Sequence, residues 1–217
     1  MERVRARRIV LEVDPKQLKA DLERYRHVAF EAGADAAEIV PARKVVVDER
    51  VRMKCMVPRC HLCGESPNCP PYTPEPDFMR KVIRRFRWAL VTRNDVRPVE
   101  DFIDNEKWHK GHIRHQRKTH DIVSAVESRA FNDGYYLAMG FAAGGCKTAL
   151  CGGRICQLLD SGRCRFPLKA RPSMEAVGID AYRLATEVGW SVYPVAHPHL
   201  ELDSIPSAIS LGLVLVY

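Results

Sequence analysis

The chain contains no apolar run near the roughly 18 residues that a membrane-spanning helix requires. It has no recognisable secretion signal either: MERVRARRIV is charged, and the apolar residues that follow are broken by Glu12 and Asp14. Glycine-rich phosphate loops, a G-x-S-x-G nucleophile turn and the Rossmann glycine fingerprint are all missing. So is the C-x3-C-x2-C triplet of radical enzymes, since the first gap between cysteines here is four residues. There is no internal repeat, linker or low-complexity stretch. Aromatics make up 8% of the residues, and apart from Phe86 and Trp88, read as core, none interleaves the arginine-rich windows as a base-stacking platform demands. These absences point away from membranes, nucleotides and nucleic acid. A soluble, cytoplasmic protein is expected, and in that compartment thiols stay reduced and clustered cysteines act as ligands.

What the sequence does contain is enough for a core. Hydrophobic residues are 46% of 217, so the chain is expected to fold as one domain over 1–217 without a metal to rescue it. The formal charge of +7 is mildly basic and gives a weak preference for acidic partners or anions. Arg3, Arg5, Arg7 and Arg8, and the arginines from Arg80 to Arg87, read as a frayed terminus and solvated helix faces.

Residues 8–13 read as a strand. Asp14-Pro15 then opens a helix, with Leu18, Leu22, Tyr25, Ala29 and Ala32 at helical spacing and Gly33 as its stop. Residues 37–47 are strand-like around Pro41. A loop over Cys55–Cys69 follows, then a helix over Pro76–Arg87 burying Phe78, Val82, Ile83 and Phe86, and a strand over 88–92. Further on the pattern predicts a helix carrying Ile122, Val126 and Ala130 on one face. After it come a buried apolar strand over 135–142, helices over Pro172–Val177 and Asp180–Val188, and strands near 190–195 and 209–217. The fold class is α/β: a single mixed α+β domain with a central sheet and two cysteine-rich cluster-binding loops at one end or edge.

All eight cysteines fall in two windows. Cys55, Cys60, Cys63 and Cys69 are spaced C-x4-C-x2-C-x5-C; Cys146, Cys151, Cys156 and Cys164 are spaced C-x4-C-x4-C-x7-C. Four thiolates are the complement of an iron–sulfur cluster or a structural zinc. Zinc favours pairs of short knuckles, and only Cys60 and Cys63 form one. The wide gaps, the proline after Cys69 and the glycines beside the cysteines suit a bulky inorganic group, so two [4Fe–4S] clusters are expected, with zinc as the alternative.

The segments KC-x4-C…NCPPYTPEP and C-x4-C-x4-C…CRFP followed by RPSMEAVGID resemble a prokaryotic family described only as predicted metal-binding proteins. The resemblance runs from about residue 36 to the C-terminus and carries no reaction with it. It implies ligand positions at Cys55, Cys60, Cys69, Cys146, Cys151, Cys156 and Cys164. The family often has tyrosine where this chain has Cys63, which implies a three-cysteine first site with Cys63 as an extra ligand or a bystander.

Three further segments carry polar chemistry. His109, His112, His115 and His120 could pair for a metal at helical spacing, but with lysines and arginines around them a solvated basic helix is the expectation. Arg171, Ser173 and Glu175 either cap a helix that packs Met174 or hold an anion or cluster sulfur. His197-Pro198-His199 reads as a surface turn. The functional reading is electron transfer or service as redox partner of another protein. The alternatives are an enzyme whose cluster has three protein thiolates and one open iron, and a zinc-stabilised binding module.

Overall fold

The computed structural model describes residues 5–103, 108–195 and 201–217. The Asp14 carboxylate accepts the amides of Lys16 at 2.9 Å and Gln17 at 3.0 Å, and Pro15 occupies the first helical position, where a missing N–H is harmless. Helix α1, Pro15–Glu31, buries Leu18, Leu22, Tyr25 and Ala29, as their spacing predicts.

Strands β1 (Ala36–Pro41), β2 (Trp88–Asp95), β3 (Met139–Phe141) and β4 (Ile209–Leu215) form one sheet in the order β1-β2-β4-β3, with every neighbour antiparallel. The C-terminal strand is therefore central. Between the strands lie α2 (Glu49–Met56), α3 (Pro76–Ile83), α4 (Glu100–Ile103), α5 (Trp108–Asn132), α6 (Cys146–Ala149), α7 (Gln157–Ser161) and α8 (Ala181–Glu187). The result is a mixed α+β fold on a four-stranded antiparallel sheet.

Helices cover both faces of this sheet, which explains why β4 and the first half of β2 are largely apolar instead of alternating with polar residues. Ala89, Val91, Leu211, Leu213 and Leu215 pack with Met79 and Ile83 of α3 and Leu184 and Ala185 of α8. Leu90, Val214 and Val216 pack with α1 and with Ile122, Val126 and Ala130 of α5. Gly212 sets the approach of α5. A Cβ there would meet Val123 Cγ2 at 2.5 Å and Thr92 Oγ1 at 2.7 Å, so only a bare backbone lets the helix lie this close.

Several sequence expectations need correction. Residues 8–13 form no strand; Ile9, Val10 and Leu11 are exposed, and the segment is tied down by Arg7 instead. Arg7 reaches the buried Asp21 at 2.6 Å, Tyr135 donates to Asp21 at 2.8 Å, and Tyr25 donates to Asp133 at 3.2 Å. In α3, Met79 takes the buried position expected for Phe78, which is exposed. The strand expected over 135–142 shrinks to Met139–Phe141, because it is an edge strand and Tyr136 and Leu137 face outward. Residues 190–195 make no strand, and the helix expected over Pro172–Val177 is only a tight turn at Glu175–Val177. Among the described residues no helix is long and apolar enough to cross a membrane.

Helix α5 also carries an acid-sensitive group. His120 is fully buried; its Nδ1 lies 3.2 Å from the Lys169 carbonyl, and among the described residues its Nε2 has no hydrogen-bond partner. Burial lowers its pKa from the ordinary 6.5 to about 4, since a second ring N–H would have nowhere to donate. A folded-state pKa below the unfolded value means that stability is complete above about pH 6.5 and is lost as pH falls toward 4, by up to about 3 kcal/mol. Thermal unfolding followed between pH 7 and 4 should show this loss, with a shallower slope in His120→Gln than in the parent.

Candidate metal centre

The first cysteine segment is clamped at both ends. Arg52, buried in α2, pairs with Glu75 and donates to the Thr73 carbonyl at 3.1 Å. Thr73 Oγ1 donates in turn to the Ala176 carbonyl at 2.6 Å, which ties the segment to the turn at Glu175–Val177. Cys55 lies on the last turn of α2, so the segment begins in helix and not in loop. Successive tight turns then reverse the chain: the Cys60 amide donates to the Cys55 carbonyl at 3.0 Å, the Cys63 amide to the Cys60 carbonyl at 2.9 Å, and the Gly64 amide to the Pro70 carbonyl at 2.7 Å.

This folding brings Cys55, Cys60, Cys63 and Cys69 to the wall of one cavity of about 360 Å³. Its other walls include Phe102, His112, Ser173, Glu175, Tyr182 and Tyr193. Cys63, the position where the resemblance left two readings, sits with the others; its thiol donates to the Pro70 carbonyl at 3.2 Å. Burial pushes the Cys55 and Cys69 thiols up to about 11, with the negative potential of Glu175 adding to the effect at Cys55. These thiols are protonated at neutrality unless a positive group displaces the protons.

In the second segment Cys146 is buried at the start of α6, while Cys151, Cys156 and Cys164 are half-buried. Gly144 precedes it with φ 63, and a Cβ there would meet the Gln116 amide at 2.1 Å. Because φ there is left-handed, Gly144→Ala is expected to strain the entry to this segment and lower its metal content, measurable by elemental analysis of the purified variant.

The two segments touch. A Cβ on Gly145 would meet Leu62 Cδ1 at 2.3 Å, Asn68 Nδ2 donates to Cys146 Sγ at 3.4 Å, and Lys147 pairs with Glu65. Ser66 is fully buried between them, 3.5 Å from Cys69 Sγ and 3.7 Å from Cys146 Sγ. Backbone amides also point at sulfur: Leu62 N–H at Cys60, 3.5 Å, and Phe166 N–H at Cys164, 3.4 Å. Among the described residues no three Cys, His, Asp or Glu side chains meet at the spacing of one metal ion.

Among the described residues no metal-binding group includes the histidines of α5. His115 bonds Asp101 at 2.9 Å, His112 stacks on Phe102 at 4.1 Å, and His115, Gln116, Thr119 and His120 are buried, so the helix is not the solvated one expected. Its partner carboxylate comes from α4, outside any helical spacing. The His109 side chain and the turn at 197–199 lie outside the described residues. Arg171 pairs with Glu127, away from sulfur, whereas Ser173 and Glu175 line the first-segment cavity, and Met174 is packed inside as its capped-turn reading requires. Sequence reasoning missed the link through Ser66 and Asn68; small polar residues set between cysteines were the available signal.

A family model matches residues 38–215, a span that takes in all eight cysteines and every wall of the cavity. Neither the curated proteins nor the solved structures give a match.

Proposed function

Because the chain belongs to the predicted metal-binding protein family (DUF2284), we propose that its two cysteine segments hold iron–sulfur clusters, two of the [4Fe–4S] type, and that it exchanges single electrons with a protein partner. The observation that carries this reading is the placement of four thiols on the wall of one cavity. A tetrahedral zinc needs its sulfurs about 2.3 Å from a single centre. A cluster takes one thiolate per iron, so it suits sulfurs that ring a cavity without converging on a point.

Cys55, Cys60, Cys63 and Cys69 would hold the first cluster, and Cys146, Cys151, Cys156 and Cys164 the second. When bound, such a group supplies reversible one-electron chemistry. The chain's own part is to set the potential and exclude water. The amides of Leu62 and Phe166 and the side chain of Asn68 donate toward sulfur, which favours the more negative, reduced state. Protein isolated without oxygen is expected to be brown and to contain iron with acid-labile sulfide. Stoichiometric zinc without sulfide would sink the reading.

Ser66 gives a finer test. Its hydroxyl donates to Cys69, so Ser66→Ala should lower the potential of the first-segment cluster while leaving iron content unchanged, as read by redox titration. A second reading, an enzyme with an open iron, is favoured by the extension of the cavity past the thiols to Glu175 and Tyr193. EPR spectra of the reduced protein that respond to added small thiols in the first segment alone would support it; insensitive spectra support electron transfer.

A further inference from the structure

The second cysteine segment presents a surface that the rest of the fold leaves open. No residue from Cys151 to Ala170 is buried. Helix α7 buries none of its side chains, Ile155 and Leu168 are 74% and 77% exposed, and Leu158 and Leu159 are exposed as well. Single exposed aliphatics are ordinary on a protein surface, but four within one short cysteine-bearing segment are a concentration that the core does not use. The same segment is basic. Arg154, Arg163, Arg165 and Lys169 stand against one acid, Asp160. Lys169 is paired with Asp121, whereas among the described residues no carboxylate pairs with the three arginines, all of them exposed. Arg154 donates to the Cys151 carbonyl at 3.0 Å, and Arg165 to the Ile155 carbonyl at 2.7 Å, which sets a guanidinium beside the aliphatic surface. Guanidinium groups stay charged at every working pH, so this outward charge does not depend on how the half-buried thiols ionise.

We propose that this segment is the docking face for an acidic protein. That the acidic protein is the partner in electron exchange rests on the cluster reading above; the docking chemistry does not. Electron-transfer encounters bury little surface, and a small apolar centre among exposed charges suits them: the charges steer the approach and the aliphatic side chains exclude water on contact. A symmetric pair of copies of this chain would set arginine against arginine through this face. The segment has no exposed aromatic side chain on which a single-stranded nucleic acid could stack.

Anaerobically purified full-length protein is passed over immobilised plant-type ferredoxin, an acidic protein, and immobilised cytochrome c, a basic one, and iron and sulfide are measured on the same sample. Ferredoxin is expected to bind at least tenfold more tightly than cytochrome c at about 20 mM salt, and at least tenfold more weakly at about 200 mM. Arg154→Glu with Arg163→Glu and Arg165→Glu is expected to weaken ferredoxin binding at least tenfold with iron content unchanged. The same charge change at the exposed Lys81, Arg84 and Arg85, in the other basic window, is expected to cost less than threefold. Equal losses in the two variants, equal binding of the two probes, or absence of ferredoxin binding would overturn the inference. So would tighter capture by phosphatidylserine vesicles or a single-stranded DNA oligonucleotide that is lost in the first variant, since it would assign the face to a membrane or to nucleic acid. Should the first variant lose its iron, Ile155→Ser with Leu168→Ser takes its place; binding at least threefold weaker is expected, and unchanged binding overturns the inference. Arginine-dependent ferredoxin binding by a protein without sulfide upholds the docking face and sinks the cluster reading; iron and sulfide without such binding do the reverse.

Discussion

Replacing Cys151 by serine is expected to remove about half of the iron and sulfide, because the second segment has four candidate thiolates and none to spare. The loss should be confined to one cluster. Iron per protein and the EPR spectrum of the reduced sample measure it directly. Cys63→Ser is expected to be milder, since the resemblance makes that position variable. Its thiol nevertheless lines the same cavity as Cys55, Cys60 and Cys69. Equal losses in the two variants would make Cys63 a full ligand and remove the basis for an open iron.

The second large effect lies in the core. Leu213 is fully buried on the central strand β4, packed among residues from both neighbouring strands and from α3 and α8. Truncation to alanine leaves a cavity in a region that cannot collapse, and costs about 2–5 kcal/mol. For a chain of this size that lowers Tm by roughly 5–15 °C. Leu137→Ala, at a side chain 62% exposed, should shift Tm by no more than about 2 °C, and the pair of melting curves separates burial from mere apolarity.

The most legible parts of the sequence were those governed by local rules. Asp14-Pro15 and the helical repeat from Leu18 to Ala29 defined α1, and the continuous apolar runs at 88–92 and 209–217 marked the two central strands. Apolarity misled where no partner was present. Ile9 to Leu11 and Tyr136 to Leu137 look like strand, yet one stretch has no neighbour to pair with and the other sits at the sheet edge. The grouping of the cysteines was plain from spacing. That Glu175 lies more than a hundred residues downstream of Cys55 yet on the same cavity wall was not, because that contact depends on the clamp from Arg52 through Thr73 to Ala176. Likewise the salt-bridged His115 depends on Asp101 from a separate helix.

The contact between the two cysteine segments has a consequence for how the protein is assembled. Leu62 lies against Gly145, Glu65 holds Lys147, and Ser66 and Asn68 reach Cys146. Ordering one segment around its ligand therefore fixes groups that the other segment must also fix. The conformational entropy lost at the first filling does not have to be lost again at the second. Loading should then be cooperative, with few half-filled molecules at substoichiometric iron. Glu65→Ala together with Asn68→Ala would weaken this linkage and let singly loaded protein accumulate, visible by native mass spectrometry during reconstitution.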